Sequence, residues 1–581
     1  MQPEAQIHTE RIDDVPLLLS QQQRMGIPQI LNKIIQPHGN RQGLSVGWLT
    51  TTWLSYIVSA GDHRMVEVEP WVAAQQETLS GLIPESMGLK DFTDDRLADV
   101  LGVLSQDALW EEVEVQLGQH LIRVYDLADD RIRLDSTSVS VYHEEASQPL
   151  FRAGHSKDHR PDLAQFKLML GTLDPLGMPL ASLVVAGNCA DDPLYLPAWA
   201  RVRQVVGPGQ KLYIGDTKMG ALQTRAVIQE GGDYYLMPLA HVGEVPQLLQ
   251  ERLQPVWAGD QALQRIEAVD EGEEAALPME TEAWAQAFEG NRPQQACVEG
   301  HDLRFDERVL VVHSPTLARK RQRGLEGRLS RAEAALHALT PPRGRGKKQW
   351  VDQPALEEGV QTVLNKHRVE GLLEVTYAQQ VDRRSIRAYK DRPARQEERI
   401  RYTIEVQPKV EAIGQARRLL GWRLYVTNAP PSALSLAQAV RAYRGAPHIE
   451  RNFARLKGRA LGIRPLYVQR EDHAKGMVRL LSLALRVLTL TEYVVREKLH
   501  AAGETLTGLY AGNPKRKTAR PTTERVLKAF KGIALTVVQL PDQTIRHVTP
   551  LSKLQRWILN LLGLPDSIYE KLTLSDEPIP I

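Results

Sequence analysis

The stretch from Arg131 to Ala240 constrains the fold more than any other, because its hydrophobic period switches repeatedly between two and about 3.6 residues. RIRLDSTSVSVY, AQFKLMLGTLD and PLASLVVAGN read with period two and are separated by turn residues, the pattern of an antiparallel meander. AWARVRQVV then reads as a helix, KLYIGD as a short strand ending at Asp216, MGALQTRAVIQE as a second helix and DYYLMPLA as a further strand. This order predicts an α/β sheet that is mixed rather than all parallel. Inside the first strand stands Asp135, a bare carboxylate where the apolar parity passes from Ile132 and Leu134 to Val139 and Val141. An acid there needs a partner, a metal or an opening to water.

Before this stretch the chain reads as helical, with DDVPLLLSQQQRMGIPQILNKII, LSVGWLTTTWLSYIVSAG and FTDDRLADVLGVLSQDALWEEVEVQL punctuated by Pro28, Pro37 and Gly61. An N-terminal helical domain over 1–127 and the first part of the sheet domain over 128–240 follow from that. Residues 241–430 mix strand candidates (RVLVVHSP, GLLEVTYAQQV, RIRYTIEVQP, GWRLYVTNA) with the charged LARKRQRGLEGRLSRAEAALHAL. That is too long for a loop and predicts an inserted α+β subdomain. Residues 431–510 carry two helical blocks, the second apolar on most of its circumference and expected to pack deep against the sheet. Residues 511–581 form a C-terminal region that either helps pair two copies or DNA, or simply closes the fold.

Composition excludes several classes. No run of eighteen apolar residues occurs, so no membrane span is expected. The first residues, MQPEAQIHTERIDDVP, lack the apolar segment of a secretory signal. The two cysteines, Cys189 and Cys297, argue for a reducing, cytoplasmic setting and against a disulfide framework or a cysteine zinc site. The net charge of +1 does not favour nucleic acid, but its distribution is uneven. ARKRQRGLEGRLSR and PPRGRGKKQ form one basic stretch; NPKRKTAR with Arg525, Lys528 and Lys531 forms another. Each suits a phosphate backbone, and each also suits a solvated helix face.

Two further acids stand out. Asp216 shares parity with Leu212 and Ile214 and ends its strand directly before a helix. There it can cap that helix, or sit where α/β sheets gather ligands. Glu450, in APHIERNFARLKG, falls on a helix's first turn after Pro447, with Lys457 two turns along on the same face. Alone, that helix reads as a surface helix with scattered charges. Taken together, Asp135, Asp216 and Glu450 specify an oxygen-ligand centre for Mg²⁺, with Mn²⁺ as substitute. Two such ions about 4 Å apart would activate a nucleophile and stabilise a leaving oxygen at phosphorus.

The motifs LDSTSVSVY, IGDTKMGA and YRGAPHIERNFARLKG, with GHSKDHRPDLAQFKLMLG after the first acid, resemble those of DDE transposases of bacterial insertion sequences. The branch resembled carries a strand-containing insertion before its glutamate, and the N-terminal helices resemble the leader of such proteins. The resemblance implies an RNase H-like mixed sheet flanked by helices, with Asp135, Asp216 and Glu450 as catalytic and metal-holding residues. It implies binding to terminal inverted repeats and target DNA, cleavage and strand transfer, and at least a homodimer on the DNA, in the cytoplasm at the nucleoid. Tyr443 and Lys457 match the third motif, whereas its arginine position is Ala446; Arg444 or Arg451 are the residues that could replace that phosphate contact. The polar loop with Ser156, Lys157, His159 and Arg160 either grips a phosphate over the acids or is a plain turn. Some relatives form a DNA hairpin, for which Trp257, Trp284 and Trp350 are the candidate props. A nuclease that cuts without joining, and a DNA-binding descendant without catalysis, are the alternatives.

Overall fold

Arg131–Val141 is the strand around which the molecule is arranged. The computed structural model describes residues 6–36, 43–142, 149–267, 284–344, 346–388, 393–445, 447–541 and 543–574. Strand β1 (Gln6–Arg11) leads into a helical run from Val15–Arg24 to Asp107–Val124. Next come β2 (Arg131–Val141), β3 (Ala164–Leu173) and β4 (Pro179–Ala186), an antiparallel meander as the period-two pattern predicts. The helix Tyr195–Val206 crosses to β5 (Leu212–Ile214), and the helix Leu222–Glu230 crosses to β6 (Tyr234–Pro238). β5 runs parallel to β2, and β6 parallel to β5. The order β4-β3-β2-β5-β6 is the RNase H-like arrangement implied by the motifs. Nearly all of β2 and β3 is buried, because helices cover both faces of this part of the sheet.

The span 241–430 divides in two instead of standing apart as one subdomain. β7 (Gln264–Ile266), β8 (Ala285–Val298) and β9 (His301–His313) join the central sheet. After them the helices Pro315–Leu339 and Gln353–His367 pack with the hairpin of β10 (Leu373–Ile386) and β11 (Arg395–Pro408) around a small core of their own, including Leu325, Leu336, Leu356 and Ile404. β12 (Trp422–Thr427) then returns between β6 and β9, antiparallel to both. The result is a nine-stranded sheet, β4-β3-β2-β5-β6-β12-β9-β8-β7. β12 and β9 offer long apolar runs (RLYVT, RVLVV) that fit a strand buried between neighbours.

The helices Leu436–Arg444, Pro447–Lys457 and Glu471–Ala502 follow. The first opens on a reciprocal cap, Ser435 with Gln438, whose spacing is legible in the sequence. The last is buried over most of its length and packs against the helix Asp94–Leu104 and β4. Near the C-terminus β13 (Ala534–Gln539) pairs with β1 on one side and β14 (Thr544–Val548) on the other. Ile12, Trp53 and Trp110 of the N-terminal run share one continuous apolar core with β2, β3, the long helix and Leu559 near the C-terminus.

Candidate active site

The register of β2 against β5 assembles the first two acids. Arg131, Ile132 and Arg133 stand opposite Leu212, Tyr213 and Ile214. Carried two residues further, that register sets Asp135 beside Asp216, on adjacent strand paths that lie about 4.8 Å apart in a sheet. β5 stops at Ile214, so β2 loses that neighbour just before Asp135, and the carboxylate keeps 27% of its exposure. This is the opening to water that its sequence position requires. An added Cβ at Gly215 would meet Met219 Sδ at 2.3 Å, so the turn presenting Asp216 closes too tightly for a side chain there. Asp216 also caps the short 3₁₀ turn Thr217–Gly220, its Oδ1 accepting the Lys218 amide at 2.8 Å. The capping and the ligand-gathering placements therefore coincide in one residue.

The electrostatics tie these acids to residues that sequence reading left out. Burial, together with the charges of Asp216 and Asp191, pushes the Asp135 carboxyl up to about 6 against the opposing pull of Lys157 and the Ser136 amide. Lys157 Nζ donates to Ser136 O at 2.7 Å and Ser136 Oγ at 2.8 Å, and stands 3.9 Å from Asp135 Oδ1 and 3.3 Å from Asp191 Oδ2. Asp191 also accepts Lys167 Nζ at 2.7 Å; burial works against its ionisation, but the two lysines hold it below the usual carboxylate range. Tyr195 donates its hydroxyl to Asp216 Oδ1 at 2.6 Å, and burial plus the nearby carboxylates keep that phenol protonated. Asp191 and Tyr195 lie in DDPLYLP; nothing in that string marks them before the crossover helix is placed against β5.

Arg133 shares a face of β2 with Asp135 and donates to Ala442 O at 2.6 Å, so the helix Leu436–Arg444 lies over that face. Tyr443, at its end, packs its ring at a tilt against Tyr425 with 4.5 Å between ring centres; burial raises its hydroxyl, and the Asp216 charge adds to the shift. The next helix, Pro447–Lys457, packs against β2. Its Ile449, Phe453 and Leu456 are buried, while Glu450 stands exposed on the first turn. Asp135 and Asp216 are thus brought together, and Glu450 is presented from a helix over the same strand. Among the described residues no three His, Cys, Asp or Glu side chains converge as a metal cluster. The two aspartates, the hard oxygen donors around them and the repulsion from Asp216 that adds to burial in raising Asp135 suit a divalent cation.

The other basic candidates separate by role. Lys457 donates to Asp158 at 2.7 Å, and Arg464 reaches the same carboxylate at 2.8 Å, so the loop carrying Lys157 is pinned to the Glu450 helix. Arg160 makes a two-pronged pair with Asp162 and is half-buried. Arg451 donates to Glu492 at 2.8 Å, and Arg455 pairs with both Glu492 and Glu524. Arg444 lies 3.7 Å over the Trp284 ring and donates to Trp284 O and Ser314 Oγ, at 2.6 and 3.2 Å. Among the tryptophans, Trp350 carries Lys348 Nζ 3.7 Å from its ring, and Trp257 packs at the edge of the main core. Ala446, and His143 and Glu144 after β2, lie outside the described residues.

A profile of the transposase DDE domain matches residues 127–487, well over half of the chain. The chain belongs to the DDE transposase family. The match takes in Asp135, Asp216 and Glu450, and with them the inserted strands that widen the sheet. Among solved structures, a piggyBac transposase synaptic complex with hairpin DNA is similar at a TM-score of 0.34 and 8% identity, over 99% of this chain and 89% of that one. A search among curated proteins finds no significant match. No helix among the described residues of this transposase is long and apolar enough to cross a membrane.

Proposed function

We propose that this transposase binds the terminal inverted repeats of an insertion sequence, cuts the phosphodiester at the element's ends and joins the freed 3′-hydroxyl to target DNA. The observation that carries the reading is the β2–β5 register, which carried past Ile214 sets Asp135 beside Asp216, whose charge acts on it, inside the family match. Asp135 and Asp216, with Glu450 supplied by the helix packed on the same strand, are the residues that would hold a divalent ion of the kind this family uses, Mg²⁺ or Mn²⁺. When bound, that ion supplies charge neutralisation at the phosphate and acidifies the attacking hydroxyl. The chain's own groups do the rest. Tyr195 fixes the rotamer of Asp216. Lys157, now held by Ser136 and Asp191, is close enough to turn to a phosphate oxygen when a cation takes its place between the acids. Lys457 and Arg464 hold Asp158 and with it that loop. Two ends must be joined, so the working form is at least a homodimer on DNA.

A second reading, a DNA-binding descendant without catalysis, is favoured by one observation: Glu450 is exposed and completes no metal cluster among the described residues. Supercoiled plasmid carrying the element's two ends, incubated with Mg²⁺ or Mn²⁺, separates the two. End-specific nicks, lost in Asp135→Ala, Asp216→Ala and Glu450→Ala, support the transposase; binding without metal-dependent cutting supports the descendant. Nicks that never yield joined products point to a nuclease.

A further inference from the structure

Lys157 brings a positive charge to the acid pair from a loop that is itself held still. Its Nζ stands 3.9 Å from Asp135 Oδ1 and 3.3 Å from Asp191 Oδ2, and donates to Ser136 O and Ser136 Oγ at 2.7 and 2.8 Å. The Lys157 amide donates to Ser138 Oγ at 3.2 Å, and the adjoining Asp158 is gripped by Lys457 and Arg464 at 2.7 and 2.8 Å. Freedom of movement is left to the flexible four-carbon side chain, which is 30% exposed. Asp191, on the far side of Nζ, also accepts Lys167 at 2.7 Å. It opens the segment whose Tyr195 donates to Asp216 at 2.6 Å, so one short stretch touches both Lys157 and the second acid.

We propose that Lys157 is a built-in counter-ion of the acid pair, exchanged for the divalent cation, and that Asp191 is the seat to which its ammonium withdraws. Without a cation, the ammonium offsets the repulsion between the Asp135 and Asp216 carboxylates. With one, two like charges would share Asp135, and at about 4 Å near a protein surface their repulsion shifts an equilibrium by tenfold or more. Asp191 eases the withdrawal, because this carboxylate already lies 3.3 Å from Nζ. The proposal rests on Asp135 and Asp216 as metal-holding residues, and deepens that reading by making metal affinity a property of Lys157 and Asp191.

The test titrates Mn²⁺ into the full chain without DNA and reads free Mn²⁺ by electron paramagnetic resonance. The variants are Lys157→Met, Asp191→Asn and the two combined, each checked by its melting curve. Lys157→Met is expected to bind Mn²⁺ about tenfold more tightly than the wild type. Asp191→Asn is expected to bind several-fold more weakly alone and to change nothing beside Lys157→Met, because the seat matters only to the lysine. Equal affinity in Lys157→Met and wild type overturns the exchange and leaves the metal-holding acids standing. An Asp191→Asn loss that persists beside Lys157→Met overturns the seat and makes Asp191 act on the metal directly. If Asp191→Asn melts early because Lys167 loses its counter-charge, Ser136→Ala takes its place. It removes the 2.8 Å hold on Nζ without changing charge, so it should tighten Mn²⁺ binding only where Lys157 is present; no tightening overturns the proposal. Mn²⁺ bound by neither wild type nor Lys157→Met overturns the metal-holding role of the acids as well.

Discussion

Glu114 offers the sharpest test of how the catalytic sheet is held. Its side chain is 2% exposed and joins three elements. From the helix Asp107–Val124 its Oε1 accepts Ser182 Oγ of β4 at 2.8 Å and Arg486 Nη2 of the long helix at 3.4 Å; its Oε2 accepts Arg201 Nη2 at 2.6 Å. Burial raises the Glu114 carboxyl and lowers the Arg486 guanidinium, so each charge is tolerated only because of the other. Glu114→Gln keeps the shape and an acceptor but leaves Arg486, wholly buried, without a counter-charge. Removing one partner of such a pair costs about 3–5 kcal/mol. With an unfolding entropy of about 2.1 cal/mol/K per residue, a chain of 581 residues melting as one unit gives about 1.2 kcal/mol/K, so the melting temperature should fall by about 2.5–4 °C. The assay is calorimetry of the wild type, Glu114→Gln, Arg486→Met and the double variant Glu114→Met with Arg486→Met. The double variant is expected to recover most of the loss, because Arg486 is gone and Arg201 keeps its pair with Glu111 at 2.6 Å. A Glu114→Gln change below about 1 °C, or a double variant no better than the singles, would refute the reasoning.

Three other outcomes are expected. Glu450→Gln alters an exposed side chain, so stability should move by no more than about 0.5 kcal/mol while end cleavage is lost; retained cleavage removes Glu450 from the site. Lys157→Met removes the cation that pulls the Asp135 carboxyl down from higher still, so the acid limb of the cleavage pH profile should move upward; a profile that stays put separates Lys157 from Asp135 in the working enzyme. Asp14, buried against Ser59 Oγ at 2.6 Å, has its carboxyl pushed up to about 6, chiefly by burial. Its native pKa exceeds the unfolded one, so it stabilises least above pH 6: about 3 kcal/mol of stability should be lost between about pH 4 and 6 and be absent from that loss in Asp14→Asn. A stability difference between wild type and variant that is flat with pH contradicts this.

Much of this protein was legible in residue order. Period-two runs placed β2, β3 and β4, and the apolar girdle of Glu471–Ala502 foretold its burial. These are local signals, written in neighbours a few residues apart. The tertiary structure alone decided which edge each strand joins. Backbone donors along an open edge accept any strand of suitable register, so nothing in RVLVV or RLYVT says that β9 and β12 widen the catalytic sheet instead of founding another. The same holds for β1, which pairs with β13 more than five hundred residues away. The acids follow this division. Their identity and spacing stand in the sequence, but the proximity of Asp135 to Asp216, the Tyr195 hydroxyl on Asp216 and the solvent-facing first turn of Glu450 come from packing between segments far apart in the chain.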